Sequence, residues 1–220
     1  MRLTPRDQAI VTTIGYLHQV TSSQIRRLFF ADGSPASQGV RQRRTMARLT
    51  KWGAVRRIDR AMGGGLGGSG EYTYLPSSSR ARTPDMHTLD ITEMFVRLNE
   101  AQAEKRIELL GFDPEPYCHV QVGHLEIKPD AYIRVRVGER IRRCWLEMDR
   151  GTEYRPQLNA KMRSYCKAYS KWPDATFPQV IYIVPDDLRR RFVESVVKYQ
   201  EIPKLFLVSN FDQALSQIGE

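Results

Sequence analysis

Three acidic residues and one lysine carry the chemistry that this 220-residue sequence offers. Pro129-Asp130 opens one alternating run, PDAYIRVRV. Glu147-Met148-Asp149 closes the next, IRRCWLEMD, and Lys161 follows within a helical stretch. Side chains at i and i+2 of a strand point to the same face, so Glu147 and Asp149 are expected side by side. Gly138-Glu139 reads as the turn of a hairpin whose open end brings Asp130 to the same place. Three converging carboxylates are the hard-oxygen ligands that Mg²⁺ or Mn²⁺ prefers. Such an ion can orient a water and stabilise charge developing on a phosphoryl group. The alternative is a plain ion-pair network of Glu147, Asp149, Arg150 and Glu153 at a strand end, with Lys161 on solvated helix surface.

The elements around these residues follow from periodicity. Ile91, Met94, Phe95, Leu98, Ala101, Ile107 and Leu110 form one apolar stripe, which predicts a helix from Thr88 to Leu110 ended by Gly111. Glu93 or Glu100 on that helix could add a further acid. Tyr117–Val122, Pro129–Val137 and Ile141–Asp149 read as strands. Residues 154–171 are helical, with Leu158, Met162, Tyr165 and Tyr169 spaced three to four apart. FPQVIYIV (177–184) is a strand apolar enough to be buried on both faces, and residues 204–208 form another. Helices at 186–199 and 211–218 complete the order α, three β, α, β, α, β, α. Arg189-Arg190-Arg191 lies near Asp186-Asp187 and is expected to pair locally.

Charge divides the chain. Residues 1–80 hold 13 Lys+Arg against 4 Asp+Glu, whereas residues 81–220 hold 21 of each sign, so the whole excess of +9 lies at the N-terminal end. A basic segment is drawn to polyanions, of which nucleic acid is the commonest. Thr4-Pro5 caps an amphipathic helix bearing Ile10, Val11, Ile14 and Leu17. Thr21 or Ser22 caps a second, with Ile25, Leu28 and Phe29. A third, about 36–52, is expected to bury Val40, Met46 or Ala47, Leu49 and Trp52, with Gly53 beyond its end. Val55–Arg60 and Glu71–Leu75 read as strands joined by the glycine-rich AMGGGLGGSG (61–70). Three helices and a hairpin are the order of a winged helix-turn-helix. Its recognition helix would present Arg41, Arg43, Arg44, Arg48 and Lys51, with Gln42 and Thr45 for bases, and its wing Arg56, Arg57 and Arg60. A basic module for protein or RNA is the competing reading. PSSSRARTPD (76–85) is the natural boundary, giving domains at 1–78 and 86–220 joined by a linker at 79–85.

An αβββαβ core with Pro-Asp on one strand and an acidic dyad on the next resembles the PD-(D/E)xK nuclease superfamily. The segments KPDAYIRV and CWLEMDRGTEYRPQLNAKMRSY, behind a basic winged helix, are more specifically similar to the replication-relaxation family of plasmids and other bacterial mobile elements. The resemblance implies an α+β chain, a winged helix-turn-helix followed by a restriction-endonuclease-like domain, that binds duplex DNA and controls replication, transfer or transcription. It also implies either a Mg²⁺-dependent nuclease using Asp130, Glu147, Asp149 and Lys161, with the ion on the three carboxylates, or a degenerate scaffold. The superfamily's final Lys is here Asp149, followed by Arg150; in some members it has moved to the next helix, where Lys161 stands with Tyr165 one turn on. A homodimer, a relaxase or a replication initiator are the partners this implies beside DNA.

Other classes are excluded or disfavoured. A hydrophobic content of 41% supports packed cores rather than wholesale disorder. No apolar run approaches the roughly 20 residues of a membrane span, and MRLTPRDQ has no signal-peptide core. Cys118, Cys144 and Cys166 form no CxxC pair, which suits a reduced, cytoplasmic setting. Cys118-His119 with His124 lacks zinc spacing, and the glycine run lacks the Lys-Ser/Thr of a phosphate loop.

Overall fold

The computed structural model describes residues 2–58, 71–174 and 176–219. Arg60, the last residues of the strand expected at Val55–Arg60 and the glycine-rich stretch 61–70 lie outside the described residues. Contacts group the chain into two compact units, 1–100 and 101–220, and both mix helices with sheet.

The first unit runs α1 (Pro5–Leu17), β1 (Val20–Thr21), α2 (Ser22–Phe29), α3 (Pro35–Lys51), β2 (Val55–Ile58), β3 (Thr73–Pro76) and most of α4 (Met86–Ala103). Its helices start where side-chain oxygens can take orphan amides. Thr4 and Asp7 form a capping box on α1, Thr21 and Gln24 one on α2, and Ser34 caps α3, with Pro5 and Pro35 in the first turns. Gly53 adopts φ 68° just past α3, the left-handed conformation a helix terminator needs. The strands order β1-β3-β2, all antiparallel.

The buried stripe of α3 is rotated from the expected one. Gly39, Gln42, Met46 and Leu49 face inward, while Val40 and Trp52 are 36% and 40% exposed. The i, i+3, i+7, i+10 spacing is kept, but it begins on a glycine and includes an amide, which a hydrophobicity count passes over.

The unit also extends past the expected linker. Arg27 holds Glu93 and Glu100 of α4 at 2.8 and 2.6 Å, and Gln24 donates to Leu89 O at 3.2 Å. Thr92 Oγ1 donates to Gln19 O at 2.8 Å. Helix α4 through Glu100 therefore packs with the N-terminal unit rather than opening the second one.

The second unit contains β4 (Glu108–Pro114), β5 (Val120–Val122), β6 (Leu125–Ile127), β7 (Ala131–Val137), β8 (Arg140–Met148), α5 (Arg155–Tyr169), β9 (Gln179–Ile183), α6 (Asp187–Val197), a 3₁₀ turn at Pro203–Leu205, β10 (Phe206–Ser209) and α7 (Phe211–Gly219). The main sheet orders β10-β9-β8-β7-β4; β4, β7 and β8 meander antiparallel, while β9 and β10 run parallel to β8. Two expectations are corrected. Helix α4 stops at Ala103, not Leu110, because Lys105 turns left-handed at φ 59° and Arg106 N returns to Ala101 O. The first sheet strand is β4; Val120–Val122 belongs instead to a separate two-stranded ribbon with β6.

Helix α5 packs Leu158, Met162 and Tyr165 onto Trp145, Val180 and Tyr182, forming the core of this unit. Burying each such side chain contributes about 1.5–3 kcal/mol, which fixes α5 over the C-terminal end of β8.

Candidate functional site

The acidic site is built by strand register. Pairing of Ala131 with Leu146, and the bond from Asp130 N to Leu146 O at 2.9 Å, place Asp130 directly across from Glu147. The parallel register sets Tyr182 across from Glu147 on the other side. Asp130, Glu147 and Tyr182 thus form a row across three strands, and all three are buried.

Helix α5 closes the row from above. Lys161 and Tyr165 are four residues apart and share a face. The Lys161 ammonium sits on Glu147 Oε2, and the Tyr165 hydroxyl donates to Glu147 Oε1. Lys161 also lies 4.0 Å from Glu153. Asp130 Oδ2 accepts from Met148 N at 2.6 Å. The Tyr182 hydroxyl is buried without a hydrogen-bond partner among the described residues.

Electrostatics follow from this packing. Burial pushes the Glu147 carboxyl up to about 8, neighbouring Asp130 adds to the rise, and Lys161 and Tyr165 oppose it. Burial works against the Lys161 charge, but Glu147 and Asp130 outweigh it and hold its ammonium above the ordinary lysine value. Glu147 can take a proton, and the two carboxylates together present oxygens to a cation, with Lys161 as the resident counter-charge.

Asp149 does not join them. Strand β8 ends at Met148, so side-chain alternation no longer governs the next residue. The Arg189 guanidinium grips the Asp149 carboxylate through two bonds of 2.8 and 3.0 Å, and Gly151 N donates to it at 2.7 Å. Arg189 also donates to Glu153 O at 2.6 Å, so Asp149 ties the loop after β8 to α6. Arg189 was expected to pair locally; Arg190 does so, with Asp187 and Glu194. The three-carboxylate centre is thus a two-carboxylate pair with a lysine. Among the described residues no group of three His, Cys, Asp or Glu side chains could hold a metal ion. Glu93 and Glu100 are engaged by Arg27 within the first unit. Cys118 donates to Pro129 O at 2.9 Å and burial pushes its thiol up to about 12, so it buttresses the Asp130 turn as an unreactive thiol.

The basic face of the first unit separates into cations that stand open and cations already engaged. Arg43, Arg44 and Lys51 of α3 are exposed, with no ion pair among the described residues. Arg57 on β2 is exposed and lies 4.1 Å over the Tyr72 ring. Arg41 pairs with Asp32 at 2.7 Å. Arg48 pairs with buried Asp7 at 2.5 Å and lies over Trp52. Arg56 donates to the backbone oxygens of Ser79 and Ala81, so it secures that segment. Gln42 is buried and does not face outward, and Thr45 is half-buried. Ser22, Arg26, Gln42, Arg43, Arg57 and Tyr72 are among the residues lining a cleft of about 600 Å³ between α2, α3 and the hairpin. Glu71 caps α2, accepting from Ser23 N and from Ser23 Oγ at 3.0 Å.

No helix among the described residues is long and apolar enough to cross a membrane. Residues 76–180 match the family model for replication-relaxation, a span that holds Asp130, Glu147, Asp149 and Lys161 and leaves α1 to α3 outside. No curated protein and no solved structure matches the chain.

Proposed function

We propose, on the premise that residues 76–180 are a replication-relaxation segment, that the chain is a cytoplasmic duplex-DNA-binding protein that controls replication, transfer or transcription of a bacterial mobile element. The observation that carries this reading is the outward face of α3. Arg43, Arg44 and Lys51 stand open on one helix, with Arg57 on the adjoining hairpin. Three helices and a hairpin, with a three-stranded sheet, fit a winged helix-turn-helix. This unit carries 15 Lys+Arg against 8 Asp+Glu, a formal +7. Fluorescence anisotropy with a labelled random-sequence duplex tests the reading. Binding is expected to weaken linearly in a log–log plot against salt, with a slope of roughly −0.9 for each phosphate neutralised. A salt-independent affinity, or none, would sink it.

A second reading, a Mg²⁺-dependent DNA nuclease, is favoured by the pair Asp130 and Glu147 beneath Lys161. The strand order β4-β7-β8-β9 flanked by α5 also fits a restriction-endonuclease-like core. Mg²⁺ keeps several waters and is bound through one or two carboxylates, so two suffice. Asp130 and Glu147 would hold the ion, which would supply Lewis-acid stabilisation of charge on a phosphoryl group. Of the chain's own residues, Lys161 would lie beside the reacting phosphate and Tyr165 would keep Glu147 oriented. Incubation with supercoiled, linear and single-stranded DNA plus Mg²⁺ or Mn²⁺ tests this. Cleavage lost in Glu147→Gln is the expected result, and intact DNA in every arm rejects the activity.

A further inference from the structure

The second unit is close to neutral, with 19 Lys+Arg against 17 Asp+Glu, but its arginines are not spread evenly. On β7 and β8, side chains alternate between two faces. One face carries Ala131, Ile133, Val135, Cys144, Leu146 and Met148, all buried. The other carries Asp130, Tyr132, Arg134 and Arg136 on β7 and Ile141, Arg143, Trp145 and Glu147 on β8. Helix α5 covers this second face only in part, where Tyr165 packs on Trp145 with ring centroids 5.5 Å apart. Arg134, Arg136, Ile141 and Arg143 remain exposed.

Arg134 and Arg143 are directly opposed in the register. Like charges at opposed positions of an antiparallel pair destabilise it. The acidic neighbour of Arg134 is Asp113 at 3.9 Å, and Arg143 reaches Thr176 Oγ1 at 3.4 Å. Strand β4 also makes room for the arrangement. Gly111 lies across from Arg134 beside an irregularity in the register, and a Cβ there would stand 2.5 Å from the guanidinium. The Arg134 guanidinium therefore occupies the space over a residue with no side chain.

We propose that this open half of the sheet face is a second DNA-contacting surface, taking the phosphodiester backbone on Arg134 and Arg143, beyond the part of the face where Trp145 is buried under α5. It rests on the DNA-binding reading above and adds a surface to it. Arg136 on the same face is already paired with Glu108, which leaves the planar guanidinium groups of Arg134 and Arg143, whose forks match phosphate geometry, and the DNA-binding reading of the same chain favours DNA over an acidic peptide.

The test uses the full chain with R134A/R143A, R134K/R143K and R43A/R44A, titrated by anisotropy against a labelled duplex and its single strand over a range of salt. R134A/R143A is expected to bind roughly tenfold more weakly and to lower the salt slope by roughly two units, while R134K/R143K restores the slope. Its melting temperature is expected to be unchanged or higher, because the opposed charges are gone. If R134A/R143A binds like the wild type while R43A/R44A is weakened, this surface is rejected and the α3 reading stands. If R43A/R44A binds fully while R134A/R143A is weakened, the surface stands and the α3 reading falls. A wild-type chain that binds neither DNA rejects both.

Discussion

Replacing Lys161 with methionine is expected to lower stability by about 3 kcal/mol near pH 9 but only by about 1 kcal/mol near pH 6. Glu147 is 1% exposed and its folded carboxyl is raised to about 8. A group raised in this way stabilises the fold fully below its unfolded value, and that stability is lost as pH rises through the folded one. On the acid side Glu147 carries a proton, so removing Lys161 leaves no charge stranded on Glu147 itself. Above about pH 8 the wild-type carboxylate ionises against the Lys161 ammonium. The methionine variant must then either hold a bare carboxylate beside Asp130 or keep its proton to still higher pH. Its deficit therefore widens with pH. Glu147→Gln removes the titrating group and should flatten the decline of stability between about pH 4.5 and 8. The double variant should lose less than the sum of the two singles. Chemical denaturation across pH measures all three, and parallel curves for wild type and K161M would refute the pairing.

That pair was largely legible in the sequence, because each member obeys a local rule. The hairpin register brings Asp130 to Glu147, and helical spacing brings Lys161 and Tyr165 to one face. What failed were the places where a local rule ended early or a tertiary contact took over. Alternation holds only while β8 lasts, so Asp149 swung to Arg189, 40 residues away, where no spacing rule could pair them. The ELLGFDP segment carries Leu110 in phase with the α4 stripe, yet it is strand β4, because Lys105 ends the helix in a conformation usually left to glycine. In α3 the inward stripe rests on Gly39 and Gln42, residues that no apolar count selects. The contacts that tie α4 to the first unit, from Arg27 and Gln24, were not legible either, because neither partner advertises the other in sequence.

The double variant R43A/R44A is expected to bind duplex DNA roughly 100-fold more weakly and to lower the salt slope by about two units, at unchanged melting temperature. Both side chains are exposed and unpaired among the described residues, so truncating them removes phosphate or base contacts without touching the core. Arg48 and Arg41 lie on the same helix but answer differently. Burial raises the cost of the Asp7 charge; bonds from Thr4 together with Arg48 outweigh it and hold that carboxyl below the ordinary value. R48A therefore strands a carboxylate that is 2% exposed at its side chain, and the melting temperature should fall. Arg41 pairs with an exposed Asp32, where solvent screens the pair, so R41A should leave the melting temperature nearly unchanged. Its DNA affinity should fall less than that of either Arg43→Ala or Arg44→Ala, because its guanidinium is already spent on Asp32. Equal affinity losses at all four arginines, with equal melting temperatures, would mean that the ion pairs do not sort this helix face into structural and DNA-contacting cations.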